Sequence, residues 1–338
     1  MELATVWFFL WGLLWAIYLM TDGFDLGIGA LLPFLARDET DTRVLYNATG
    51  PLWDGNEVWL ITAGGVTFAA FPKTYAVLFS GFYEALTLLV LALIVRGVSF
   101  EFRAKVASAR ARQVCDLCQF LGSTLAAVLL GVLFANLFRG LPIKAGVNQG
   151  TLLAQLNAYG LAGGVVFLAV FLLHGALWLA IRTEGGLHDK AVRTATLLWP
   201  VVLVATAAFL AYTALATHLY ENYIRHPILF AVPLVAVGAL IAIKVSLHQA
   251  RPWPAWFASA AMIVAITFFG IIGLYPNMVP STIDPQANSI TLSQAASSPL
   301  TLKVMLVVVM LLIPIVLAYQ IWAYRLFSDK VDPDRLVY

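Results

Sequence analysis

Apolar stretches of membrane-spanning length, parted by short polar segments, run through the whole chain. A helix needs about 20 apolar residues to cross the hydrocarbon core of a bilayer. The pattern predicts crossings at 3–35, 57–71, 75–98, 114–138, 158–181, 194–218, 228–246, 256–275 and 302–326. The second is short and carries Gly64 and Gly65, so it needs independent support. With nine crossings, fifteen Lys and Arg residues share one side: Arg37 and Arg43, then Arg96, Arg103, Lys105, Arg110 and Arg112, then Arg182, Lys190 and Arg193, then Lys244 and Arg251, and last Arg325, Lys330 and Arg335. Only Lys73, Arg139, Lys144, Arg225 and Lys303 lie opposite. Omitting the short crossing weakens the split to thirteen against seven. Lys and Arg concentrate in cytoplasmic loops, so nine crossings are expected, with the N-terminus outside and the C-terminus inside.

Composition agrees with the pattern. Of 338 residues, 61% are hydrophobic and 11% charged, and the mean hydropathy is +0.87, far above a soluble domain. The expected fold class is an all-α polytopic membrane protein. The start, Met1-Glu2-Leu3-Ala4, lacks a basic region and an A-x-A-like site follows nowhere before Asp22, so the first stretch is expected to remain as a helix. A net charge of +2 without basic runs interleaved with aromatics speaks against a nucleic-acid partner. The longest irregular connection, 276–299, is rich in Pro, Ser, Thr and Asn and is expected as an outer loop. No soluble domain or internal repeat is visible.

Against this background Asp22 and Asp25 stand out. A charge at membrane depth costs at least about 2.5–3.5 kcal/mol on insertion scales, and residues three apart share a helix face. Gly23 and Gly27 beside them permit close approach of a second helix that would shelter the carboxylates. Asp22 lies roughly 30 Å along a helix begun at Leu3, towards the inner boundary, within reach of cytoplasmic protons. The alternative is an interfacial pair that caps or hydrates a helix end. The block Trp53-Asp54-Gly55-Asn56-Glu57-Val58-Trp59 follows turn formers and places Asp54 and Glu57 as a capping box would. Capping leaves Trp53, Asn56 and Trp59 unexplained. Two acidic groups at one membrane face suggest a proton uptake site.

Other polar residues read more plainly. Glu84 falls inside the third predicted crossing and is equally suited to a relay or to helix–helix hydrogen bonding. His174 lies deep in the fifth, where a hydrogen-bonded histidine is preferred over a haem ligand because spacing fixes no second axial residue. Cys115 and Cys118 form a C-x-x-C, but zinc would need two further ligands, and two small helix-face residues suffice. Walker A, G-x-G-x-x-G and H-E-x-x-H patterns are absent, which removes support for ATP-driven transport, dinucleotide chemistry and zinc proteolysis.

The run Thr21-Asp22-Gly23-Phe24-Asp25-Leu26-Gly27 and the run from Gly50-Pro51-Leu52-Trp53 through Glu57-Val58-Trp59 to Gly64-Gly65 resemble subunit II of the cytochrome bd quinol oxidases. Phe79-Ser80-Gly81-Phe82-Tyr83, Phe100-Glu101-Phe102-Arg103-Ala104-Lys105 and the segment from Tyr275-Pro276 to Leu302 extend the likeness end to end. The resemblance implies two four-helix bundles, 1–140 with the acidic motifs and 141–338 with an added peripheral helix, in a bacterial inner membrane. It implies a subunit I partner that carries two b-type haems and haem d, oxidises quinol near the outer face and reduces dioxygen to water, without proton pumping. It further implies that this chain binds no haem and no metal, supports subunit I, and helps deliver protons through Asp22, Asp25 and Asp54. A structural quinone and small single-helix accessory subunits are further associates known in such relatives. The rivals are a proton- or cation-coupled secondary transporter, against which the lack of inverted repeats counts, and a purely structural membrane subunit.

Overall fold

The computed structural model describes residues 2–338. Long apolar segments without internal partners for their backbone fold as helices, since lipid offers no other way to satisfy N–H and C=O groups. In chain order these are α1 (Glu2–Leu35), α2 (Glu39–Thr49), α3 (Trp53–Ala70), α4 (Pro72–Gly81), α5 (Tyr83–Phe102) and α6 (Ala109–Arg139). A hairpin of β1 (Ile143–Lys144) and β2 (Val147–Asn148) leads to α7 (Leu152–Gln155), α8 (Ala158–Arg182), α9 (Gly185–Ala216), α10 (Glu221–Arg225), α11 (Ala231–His248) and α12 (Pro252–Leu274). The remainder holds β3 (Asn277–Val279), α13 (Pro285–Asn288), β4 (Ile290–Thr291), α14 (Leu292–Ala295) and α15 (Pro299–Leu326).

Hydrogen bonds sort the connections onto two ends. Lys190 Nζ donates to the Leu35 carbonyl at 2.7 Å, Arg103 pairs with Glu39 at 3.0 Å, and the Arg182 guanidinium holds the carbonyls of Phe327 and Asp329. This end collects the basic loops and is called the inner end. At the outer end Leu141 N donates to the Pro280 carbonyl at 2.9 Å, Asn148 Nδ2 to that of Gly81 at 3.0 Å, and Ser297 N to that of Ala70 at 2.8 Å.

Eight helices among the described residues are long and apolar enough to cross a membrane. α3 falls outside that set, yet it joins the two ends. Its Gly55 and Asn56 meet Gln320 and Tyr324 near the close of α15, and Ala70 meets Ser297 just before α15 begins. Its 18 residues cover about 27 Å at 1.5 Å per residue. The third expected crossing differs in extent, because the helix is interrupted at Phe82 and restarts as α5. α9 starts at Gly185, ahead of the expected 194. The 276–299 connection is more ordered than its composition suggests, since β3 pairs antiparallel with β4.

α1 is the axis of the molecule and packs against α3, α6, α8 and α12. α5 packs on α6, α6 and α9 pack on α8, α11 packs on α12, and α15 lies against α1 and α3. Glycines set the closest crossings. A Cβ on Gly27 would overlap the Phe171 carbonyl, and one on Gly175 would meet Ile28 N at 2.7 Å, so α1 and α8 touch backbone to backbone as small residues allow.

Candidate functional site

The centre of the site is a residue that the charge count treated as a loop cation. Arg96 is fully buried in α5, six residues from the helix's inner end. Its Nη2 lies 3.3 Å from Asp22 Oδ1, and its Nη1 donates to Glu57 Oε1 at 2.5 Å. Asp22 is wholly buried, whereas the Glu57 side chain keeps 24% exposure. The indole of Trp53 covers the guanidinium at 5.7 Å and packs on Phe100. A buried cation with carboxylates on two sides is held by pairing, since an unpaired charge there would be strongly unfavourable. Arg96 carried no sequence signal beyond its place near a crossing's end, where an arginine usually snorkels.

Asp25 faces a second set of partners. Asn56 Nδ2 donates to Asp25 Oδ2 at 2.7 Å, and the Tyr324 hydroxyl donates to Asn56 Oδ1 at 2.8 Å. Trp59 Nε1 donates to Gln320 Oε1 at 3.1 Å, and Gln320 Nε2 donates to the Gly55 carbonyl at 3.2 Å. The Trp53–Trp59 block thus binds both α1 and α15. Tyr324 and Gln320 lie some 260 positions further along the chain, beyond any local pattern.

The capping-box expectation fails. α3 begins at Trp53 with Leu52 as N-cap and without a side-chain cap. Asp54, exposed in the first turn, accepts from its neighbour Gly55 N at 2.7 Å. Glu57 turns away to Arg96 because a buried guanidinium is a stronger partner than a helix-end amide.

Glu84 is set apart from this cluster. The break at Phe82 places it in the first turn of α5, exposed at the outer end, where it accepts from Leu152 N at 3.1 Å. It is not deep in a crossing. His174 is buried with both ring nitrogens engaged: Nε2 donates to the Met20 carbonyl at 3.0 Å, and Nδ1 meets Ser259 Oγ at 2.5 Å. That does not fit an axial haem ligand, and no group of three or more His, Cys, Asp or Glu among the described residues is arranged for a metal ion. Cys115 and Cys118 are unbonded and partly exposed on α6.

Two further features are unforeseen. Arg103 makes paired hydrogen bonds to Asp116 and to Glu39, at 2.5–3.1 Å, while covering the Tyr46 ring at 5.1 Å. A cavity of about 520 Å³ lies between α1, α3, α4, α5 and α6, walled by Trp11, Trp15, Phe68, Phe79 and Phe134 among other apolar residues.

Residues 3–327 match the family model for cytochrome bd terminal oxidase subunit II. The chain is 36% identical to "Cytochrome bd ubiquinol oxidase subunit 2" of Bacillus subtilis, covering 98% of this chain and 97% of the relative. It is 35% identical to "Cytochrome bd-I ubiquinol oxidase subunit 2" of Escherichia coli K12, covering 95% and 93%. A chain of the bd oxidase structure from Geobacillus thermodenitrificans shares the fold, with a TM-score of 0.77 at 15% identity over 97% of this chain and 99% of that one. With its buried acids grouped at one end of an all-helical membrane fold, the chain belongs to the subunit II family of cytochrome bd terminal oxidases.

Proposed function

We propose that, within the bd-type quinol oxidase of which it is subunit II, the chain takes up protons at the inner end and passes them towards the haem-bearing subunit I. The observation that carries this reading is Arg96 buried between Glu57, which keeps contact with solvent, and Asp22, which has none. Asp54 and Glu57 collect protons at the inner face. Arg96 remains a cation and fixes the carboxylates on either side of it, so that waters and acids, rather than the arginine, carry the proton. Asp25, oriented by Asn56 and Tyr324, is the second buried carboxylate of the path beside Asp22. Haem and quinol chemistry in such a complex supplies the demand for protons; uptake from the inside, with quinol protons released outside, generates a membrane potential in a bacterial cytoplasmic membrane.

The same chain supports subunit I. Apolar side chains are exposed on α3, α5 and α15, among them Ile61, Phe68, Ile94 and Leu311. The 520 Å³ apolar cavity suits a structural quinone or lipid chain. Glu84, on the outer side, has no part in the path.

Asp22→Asn and Asp25→Asn, each in the assembled complex with unaltered haem spectra, are expected to slow oxygen consumption and potential generation by about tenfold or more, a scale typical of a lost proton-transfer group. If both variants assemble and turn over at full rate, the carboxylates are structural and the uptake role is wrong.

A further inference from the structure

Most buried polar groups in folded proteins have partners, and in a membrane domain an unpartnered one is especially unfavourable. Several such atoms lie on the helices that pack around Gly29 and Arg96. Tyr46 Oη, Gln119 Oε1, Ser123 Oγ, Arg96 Nε and Asp22 Oδ2 are all buried without a well-formed hydrogen bond. They belong to four helices, α1, α2, α5 and α6, and those of Gln119 and Ser123 sit around Gly29.

A seam exists there because Gly29 lacks a side chain. Gly29 is seven residues after Asp22, on the same face of α1. A Cβ there would overlap Ser123 Oγ and approach Gln119 Nε2 to 3.1 Å. The neighbouring Gly122 plays the same part towards α5, where an added Cβ would come within 3.0 Å of Arg96 Cβ. Gln119 and Ser123 therefore bridge the space between Arg96 and the inner end. Below them a cavity of about 10 Å³ is walled by Gly29, Tyr46, Thr49, Phe100 and Gln119 among others, close to the room one water molecule occupies. Two of its polar walls are Tyr46 Oη and Gln119 Oε1, neither in a well-formed hydrogen bond, although the Tyr46 hydroxyl is turned to the Asp116 carboxylate. The Asp116 side chain keeps 27% exposure at the inner face.

We propose that internal waters occupy this seam between α1, α2 and α6 and give Asp22 a second connection to the inner face, opening at Asp116. The proposal rests on the uptake role of Asp22 and adds a route independent of Glu57. The ligand is water, held by Tyr46, Gln119 and Ser123. The proton moves by hopping: each hydroxyl or water accepts one proton from the inner side as it gives one up towards Asp22, so no net charge stays on Tyr46 or Ser123. The two mouths have the same design, a partly exposed carboxylate beside a buried guanidinium: Glu57 with Arg96, and Asp116 with Arg103.

The test uses the whole oxidase complex in liposomes, with proton uptake and oxygen consumption measured together. Glu57→Gln is expected to retain a measurable fraction of uptake and Gln119→Leu to lose about half, while the double variant falls well beyond the product of the two, as parallel routes require. Gln119→Glu, which keeps an acceptor oxygen in place, restores the rate in the Glu57→Gln background. A high-resolution density map of the unmodified complex shows water between Tyr46 and Gln119 that Gln119→Leu removes. A double variant no slower than Glu57→Gln alone, or a dry seam, overturns the second route. Full turnover in Asp22→Asn overturns the uptake role beneath it, which is a separate failure.

Discussion

Arg96 is the residue on which the site depends. It has two carboxylate partners and an aromatic cover, and removing the cation leaves Asp22 buried with nothing to offset its charge. Breaking one member of a buried pair typically costs about 3–5 kcal/mol, so Arg96→Gln is expected to lower the unfolding temperature and the yield of assembled oxidase. Arg96→Lys, which keeps the charge but cannot span two carboxylates, falls between; thermal unfolding followed by haem release would rank the three. Asp22, Asp25, Asn56, Trp53 and Trp59 were legible as a group because each is out of place in lipid, and the structure brings them together. Arg96 was not legible, since an arginine six residues from a helix end has the pattern of a snorkelling cation. Glu84 erred the other way: only the interruption at Phe82, which composition does not mark, moves it from mid-crossing to the outer rim.

Among the elements, the α1–α8 crossing is the least tolerant. Gly175→Ala has to push a methyl into the α1 backbone at Ile28, and overpacking of this kind typically costs about 1–3 kcal/mol. Gly65→Ala, with nothing within 4 Å in this chain, is the matched control. Loss of stability in the first variant alone, read by thermal unfolding, is the expected result; equal effects would argue against a backbone-limited contact. At the inner end the Arg103 clamp joins α2 to α6. Its hydrogen bonds to Glu39 hold that carboxyl below the usual carboxylate range. A depressed value means the contribution is complete above the unfolded-state value of about 4.3. It fades as pH falls through the lower folded value. The stability gap between the parent and Glu39→Gln should therefore narrow on acidification and stay constant from mildly acidic to neutral pH. A gap that widens in acid would contradict the clamp. Half the Glu39 side chain is exposed, so the effect is small. The all-helical membrane class and the order of the eight long apolar helices could be read from apolar length. α3 needed a second criterion, the placement of Lys and Arg, because its sequence alone is too short and too rich in polar and small residues to declare itself.

At the scale of the whole molecule, the last twelve residues close the inner end. Arg43 donates to the carbonyls of Leu336 and Tyr338 at 2.8 and 3.0 Å, Val337 N donates to Asn47 Oδ1 at 2.9 Å, and the Tyr338 ring packs on Phe100 and over Gly50. Arg43→Ala with Asn47→Ala should free this segment, and protease added from the inner side should then cut within 327–338 several times faster than in the parent complex. Unchanged cleavage would mean the segment is held by other contacts. None of this could be read from the sequence, because the tail is polar, irregular and pairs with residues nearly three hundred positions away.

The Arg96–Asp22 pair also bears on how the chain enters the membrane. α1 carries two carboxylates into the membrane when its cation is still untranslated, and at about 5–20 residues per second the intervening segment takes roughly 4–15 seconds to emerge. During that interval α1 is unfit to rest alone in lipid. A cost of that size favours holding α1 back until α3 and α5 arrive to close the ion pair around Arg96.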